Sequence, residues 1–188
     1  MQHLPNLITA FRLLLTALLA ILLMFEQKSG IAFLCCLLFT IAAVTDWVDG
    51  YLARRFKAVT NLGKLMDPLA DKLLVTTALI MLIPLGRLPA WVALVILSRE
   101  LMVTGLRGIA SSTGIVLAAS GLGKIKSTLQ YIGLGTLSFP LGLLPVPFLH
   151  HIGLAVVYVA LLMTVWSGFD YFYKLRQVFL VEDKGKIM

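Results

Sequence analysis

Residues 46–71 read DWVDGYLARRFKAVTNLGKLMDPLAD and hold four aspartates, Asp46, Asp49, Asp67 and Asp71. Long apolar runs flank this acidic stretch on both sides. An aspartate at the centre of a membrane-spanning helix costs about 2.5–3.5 kcal/mol on insertion scales. Four carboxylates next to apolar runs are therefore expected to face a polar cavity or one another, and not lipid.

The spacing of the four aspartates predicts that they converge. Asp46 and Asp49 are at i and i+3 on one helix face, and Asp67 and Asp71 are at i and i+4 on another. Two carboxylates about 6 Å apart repel by roughly 3 kcal/mol at an effective dielectric of 20, which bound cations would relieve. Oxygen ligands favour Mg²⁺ or Mn²⁺ over zinc, and two such ions would neutralise the cluster. The alternative is a set of buried ion pairs with nearby basic residues, namely Arg54, Lys64 and Lys72.

The composition places this stretch in a membrane protein. Of 188 residues, 60% are hydrophobic and 13% charged, against roughly 45–50% and 25% in soluble domains. Runs of about 20 apolar residues are long enough to span a bilayer. Six such spans are predicted: Leu4–Phe25, Ile31–Leu52, Leu65–Leu85, Ala90–Ala110, Leu122–Leu143 and Ile152–Phe172. We therefore predict an all-α integral membrane protein with one domain over residues 1–188 and a frayed tail over residues 174–188.

The net charge of +7 is distributed unevenly. Lysine and arginine concentrate after the second span, between the fourth and fifth spans, and in the tail. By the positive-inside rule, both termini and the aspartates lie on the cytoplasmic side of a cell (inner) membrane. This distribution indicates membrane topology and an anionic substrate, and it argues against a nucleic-acid partner.

Residues 46–71 also fit the pattern D-x-x-D-G-x-x-A-R, eight residues, then G-x-x-x-D-x-x-x-D. The segment thereby resembles the signature of the CDP-alcohol phosphotransferases. The resemblance implies six transmembrane helices, a homodimer, two metal ions held by the four aspartates, and Asp71 as general base. It also implies a cytidine nucleotide site made of Asp49, Gly50, Ala53, Arg54 and Gly63. Pro68 is expected in the first turn of its helix, where proline is tolerated.

In the implied reaction, a hydroxyl of the acceptor attacks the lipid-bearing phosphorus of CDP-diacylglycerol, and CMP leaves. Four basic residues at the predicted cytoplasmic side favour an acceptor with its own phosphate: Arg99, Arg107, Lys124 and Lys126. The segments PNLITAFR (5–12), SRELMVTGLR (98–107) and GKIKSTLQ (123–130) resemble the branch of the family that uses sn-glycerol 3-phosphate. The basic residues are then the implied phosphate pocket, and Asn6 and Arg12 are expected to reach the donor's diphosphate. Glu100 is expected either to pair with Arg99 or to orient Arg107.

Several alternatives stay open. Within the family, the acceptor could instead be inositol phosphate, serine or phosphatidylglycerol; serine would not need four basic side chains, whereas inositol phosphate would. A divalent-cation transporter would also use carboxylates, but its polar groups should run through the membrane depth, and here they cluster at one end. A structural membrane scaffold would not need the aspartates for function.

Overall fold

A computed structural model describes most of the backbone of the chain, over residues 4–25, 29–56, 61–112, 121–140 and 148–185. Side chains are described over a smaller set, namely residues 7, 9–25, 30–45, 69–110, 123, 125–140 and 148–173. The signature segment is therefore described mainly by its backbone.

The described backbone forms six α-helices and is all-α, as predicted. They are α1 (Leu4–Met24), α2 (Ser29–Phe56), α3 (Asn61–Leu82), α4 (Ala90–Ser112), α5 (Gly121–Ser138) and α6 (Leu149–Gly185). A left-handed glycine, Gly86 with φ of 68°, lies in the turn between α3 and α4, a conformation that glycine adopts without a steric penalty. Each helix coincides with one of the apolar runs, although several ends differ.

The signature segment lies almost entirely within two helices. Asp46 and Asp49 lie in the C-terminal part of α2, which continues to Phe56. Helix α3 begins at Asn61, earlier than predicted, so the expectation that Pro68 lies in its first turn is wrong. The predicted start follows the apolar run, which begins at Leu65, whereas the helix already includes the four residues before it.

The frayed tail over residues 174–188 stays a prediction, and the described backbone of α6 continues as a helix to Gly185. The apolar run ends near Phe172, but the polar residues that follow are mostly good helix formers and include no proline. A helix can therefore continue beyond the apolar stretch that marks a possible membrane span.

The core is built mainly from leucine, alanine and valine side chains that the helices turn toward one another. Leu19 of α1, Phe39 of α2, Leu74 of α3 and Ile96 of α4 are all at most 1% exposed. Helices α1, α2 and α3 contact each other, and α5 contacts α2, α3 and α6. Helix α4 contacts α3 and α6. In this arrangement, the five helices from α2 to α6 surround a common cleft.

Among the described residues, one helical stretch is long and apolar enough to cross a membrane: Leu149–Tyr173 of α6, with a mean hydropathy of 2.0. Thr9–Met24 and Gly30–Thr45 are shorter apolar helices. The finding rests on length and composition. Six membrane spans stay a prediction.

Candidate active site

A cleft of about 1340 Å³ opens among α2, α3, α4, α5 and α6. Each helix contributes a polar side chain to its lining: Thr40, Asp71, Arg107, Lys126 and Tyr171, in chain order. A carboxylate from the signature segment and basic residues from α4 and α5 thus line one space. The sequence predicted this combination, although these residues are far apart along the chain.

Asp71 is held by a tyrosine from another helix. The hydroxyl of Tyr131 on α5 donates a hydrogen bond to Asp71 Oδ1 on α3. The ring of Tyr131 packs at a tilt against Phe39 of α2, with centroids 6.2 Å apart and planes at 52°. Tyr131 therefore links side chains of three helices, Phe39 of α2, Asp71 of α3 and its own α5.

Lys126 and Glu100 form an ion pair across α4 and α5. Lys126 Nζ donates to Glu100 Oε1, and the Lys126 side chain is only 5% exposed. The same oxygen lies 3.5 Å from Arg99 Nη1. Pairing with Arg99 is thus confirmed as one role of Glu100, and Glu100 also holds a second cation. Buried charges need such partners because an unpaired one is strongly destabilised.

Arg99 joins α4 to α6. Its Nε donates to the carbonyl oxygen of Thr164 over 3.0 Å, and its Nη2 donates to Ser167 Oγ over 2.6 Å. The absence of a side chain at Gly168 makes room for it, since a Cβ there would lie 3.2 Å from Arg99 Cγ. Arg99 lines the cleft. Its hydrogen bonds to α6 fix the position of its side chain in the lining.

Arg107 lies at a more open position on α4. Its Nε donates to the hydroxyl of Tyr171 over 3.1 Å, and its Nη2 donates to the same oxygen. The guanidinium carbon lies 4.7 Å from the centroid of the Tyr171 ring, within the range of a cation–π interaction. Lys72 of α3 donates to Thr104 Oγ1 on α4 near the same part of the cleft.

The described side chains thus bring together Asp71, Arg99, Arg107 and Lys126 of the predicted site. Arg12 is 1% exposed in α1 and is not among the residues that line this cleft. The remaining predicted site residues have side chains outside the described set: Asn6, Asp46, Asp49, Gly50, Ala53, Arg54, Gly63, Asp67 and Lys124. Among the side chains that are described, no group of three or more metal-ligating residues occurs.

Three contacts in the cleft were not predicted from the sequence. Tyr131 was not singled out, although it is a hydroxyl-bearing residue in the apolar part of α5. No role was predicted for Tyr171, yet its hydroxyl accepts a hydrogen bond from Arg107. The ion pair between Glu100 and Lys126 joins α4 and α5, so the spacing of residues within one helix cannot predict it.

Comparison with known proteins shows the family of the chain. The family model described as CDP-alcohol phosphatidyltransferase matches residues 2–166. The chain belongs to this family. Members of the CDP-alcohol phosphatidyltransferase family are membrane-associated and generally use divalent metal ions. The resemblance of residues 46–71 is thereby confirmed.

Three relatives within this family illustrate the likeness. The CDP-diacylglycerol–glycerol-3-phosphate 3-phosphatidyltransferase of Bacillus subtilis (strain 168) is 43% identical, over 93% of this chain and 95% of its own. The protein of the same name from Rickettsia typhi is 36% identical, over 92% of this chain and 96% of its own. A probable phosphatidylglycerophosphate synthase of Mycobacterium tuberculosis is 37% identical, over 90% of this chain and 79% of its own.

Proposed function

We propose that this protein transfers the phosphatidyl group of CDP-diacylglycerol to sn-glycerol 3-phosphate, giving phosphatidylglycerol phosphate and CMP. The named relatives match it over nearly its whole length. The structural observation that carries the proposal is the cleft in which Asp71 and three cations, Arg99, Arg107 and Lys126, share one lining. A carboxylate can accept a proton there, and the cations can bind a phosphate.

The donor set suits a pair of divalent cations. Asp46 and Asp49 lie on α2, Asp67 and Asp71 lie on α3, and these two helices contact each other. Asp71 is half-buried and lines the cleft. Carboxylate oxygens are the ligands that Mg²⁺ and Mn²⁺ prefer, so we assign the four aspartates as ligands. When bound, paired metal ions stabilise the attacking and leaving oxygens of a displacement at phosphorus.

Different residues of the chain would bind the nucleotide and accept the proton. Asp71 accepts the proton of the acceptor hydroxyl as its oxygen forms a bond to the lipid-bearing phosphorus. The bond between that phosphorus and the CMP oxygen breaks, and CMP leaves. The proposed cytidine site is formed by five of the fixed positions of the signature pattern, namely Asp49, Gly50, Ala53, Arg54 and Gly63.

The charge balance of the cleft fits a phosphorylated acceptor. The cleft is lined by four basic side chains, Lys72, Arg99, Arg107 and Lys126, and by two carboxylates, Asp71 and Glu100, which leaves two positive charges. That sum matches a phosphate dianion such as the one on glycerol 3-phosphate. Arg107 is exposed and is best placed to contact it directly, and Lys124 is proposed to join it. Charge-assisted contacts of this kind are roughly twice as strong as neutral hydrogen bonds.

The membrane topology is likewise a proposal. Large apolar side chains are exposed on every helix, among them Leu14, Leu37, Ile80, Leu94, Ile132 and Leu162. Exposed apolar surface on this scale marks contact with lipid or a partner. We propose six spans in the cell membrane, with both termini and the cleft on the cytoplasmic side, and a homodimer. Asn6 and Arg12 are proposed to contact the donor's diphosphate.

An acceptor panel tests the proposed function. Purified protein in detergent is given CDP-diacylglycerol and one acceptor at a time: glycerol 3-phosphate, inositol phosphate, serine or phosphatidylglycerol. We expect CMP release with glycerol 3-phosphate alone. A chelator should abolish the release, and added Mg²⁺ or Mn²⁺ should restore it, because the carboxylate cluster requires cations.

Two results would count against the proposed function. Release of CMP with inositol phosphate but not with glycerol 3-phosphate would overturn the acceptor and keep the family chemistry. Uptake of Mn²⁺ into proteoliposomes without any CMP release would instead favour a cation transporter.

A further inference from the structure

We infer that Tyr131 is a positioning residue that fixes the carboxylate of Asp71 for metal binding and proton transfer. The inference deepens the proposed function and rests on it. It starts from one contact, the hydrogen bond from the Tyr131 hydroxyl on α5 to Asp71 Oδ1 on α3. Tyr131 itself need not touch the reacting atoms, since it acts through Asp71.

The need for such a contact follows from the geometry of an aspartate. Its carboxylate rotates about two side-chain bonds, and productive geometry requires positions held within about 0.5 Å. A hydrogen bond to one oxygen restricts that rotation. It is made to Oδ1, and no hydrogen bond between described side chains engages Oδ2, which can bind a cation or take the acceptor proton.

The tyrosine is itself well held. Its ring packs against Phe39 of α2, with centroids 6.2 Å apart, and Phe39 is 1% exposed. A tyrosine side chain has only two rotatable angles, so a packed ring places its hydroxyl with little freedom. The position of the Asp71 carboxylate is thereby set by packing between α2 and α5, and not by α3 alone.

Tyr131 also ties the reacting carboxylate to the proposed phosphate site. It lies on α5, the helix that carries Lys126, and both residues line the same cleft. Lys126 in turn is paired with Glu100 of α4. A rigid α5 therefore sets the separation between the acceptor's phosphate and the group that takes the acceptor's proton.

The test is the variant Tyr131→Phe, which removes one oxygen and keeps the ring. Loss of a partner that orients a metal ligand typically lowers metal affinity or activity by roughly 10- to 100-fold. We expect kcat for CMP release to fall in this range, while KM for glycerol 3-phosphate is unchanged. We also expect weaker Mn²⁺ binding, measured by electron paramagnetic resonance without substrates. Tyr173→Phe is the matched control, because Tyr173 is 62% exposed on α6.

A second background shows whether the hydroxyl acts through Asp71. In Asp71→Asn, a further Tyr131→Phe change should leave Mn²⁺ affinity where Asp71→Asn alone puts it, because residues that act as a pair are not additive. An additive loss would overturn the inference, as would a Tyr131→Phe protein with wild-type kcat and Mn²⁺ affinity. A rise in KM with unchanged kcat would also overturn it, by pointing to a role in acceptor binding.

The two proposals fail separately. If wild-type protein releases no CMP with glycerol 3-phosphate, the proposed function is wrong. The Mn²⁺ titrations would still show whether Tyr131 positions Asp71 for metal binding. If wild-type protein is active and Tyr131→Phe matches it in both measurements, only the role of Tyr131 is wrong. The Tm of each variant in detergent, compared with wild type, shows that the fold is intact.

Discussion

The proposed role of Asp71 as general base places two demands on one side chain: it must stay ionised and it must stay in place. The hydrogen bond from Tyr131 serves the second demand. Bound cations would serve the first, because nearby positive charge favours the carboxylate form. An amide at this position would keep the shape and the ability to accept the hydrogen bond, but it would carry no charge and accept no proton.

Asp71→Asn should therefore lose nearly all activity and keep the fold. The expected loss in kcat is about 100-fold or more, since general base catalysis contributes roughly 10²–10⁴-fold. CMP release measures the activity, and Tm in detergent should stay at or above the wild-type value. Asp170→Asn on α6 is the matched control and should stay active. Full activity of Asp71→Asn would instead favour a structural scaffold.

Helices α5 and α6 approach each other closely because small residues line their contact. A Cβ built at Gly133 would lie 2.6 Å from Val157 Cγ2, 3.2 Å from the Val157 nitrogen and 3.3 Å from the Gly153 oxygen. Two of these atoms belong to the backbone of α6 and move only if the whole helix moves. This contact sets the position of α5, and with it Tyr131 and Lys126.

Gly133→Ala should therefore destabilise the protein. Overpacking of a tight contact costs about 1–3 kcal/mol, which outweighs the gain of about 0.5–1 kcal/mol for replacing a helical glycine by alanine. Thermal unfolding in detergent should show a lower Tm. Gly105→Ala on α4 is the control: a Cβ there meets nothing within 4 Å, so its Tm should be equal or higher. A Gly133→Ala protein as stable as this control would contradict the packing argument.

Apolar surface faces outward, whereas most of the charged side chains that the structure describes line one cleft. Side chains such as Leu101, Leu162 and Trp166 are at least 70% exposed, which water would disfavour and lipid would not. Arg99, Arg107 and Lys126 line the cleft together with Asp71 instead. The family's association with membranes gives this division a physical reason.

Cysteine labelling tests the proposed orientation. In a background with Cys35 and Cys36 replaced by alanine, single cysteines are introduced by His151→Cys and Lys184→Cys. In sealed right-side-out vesicles, a membrane-impermeant maleimide should label the first variant, and it should label the second only after permeabilisation. His151 is exposed at the start of α6, and Lys184 is near its end. The reverse pattern would invert the topology, and labelling of both sites would exclude this span.

The all-α class, the family, and the aspartate and arginine candidates could be predicted from the sequence, because helical spacing and apolar runs are local properties of a chain. The side-chain contacts could not: Tyr131 with Asp71, Glu100 with Lys126, and Arg99 with α6. Each of these contacts joins helices that are distant in sequence. Their geometry depends on how close the helices pack, which no local pattern of residues encodes.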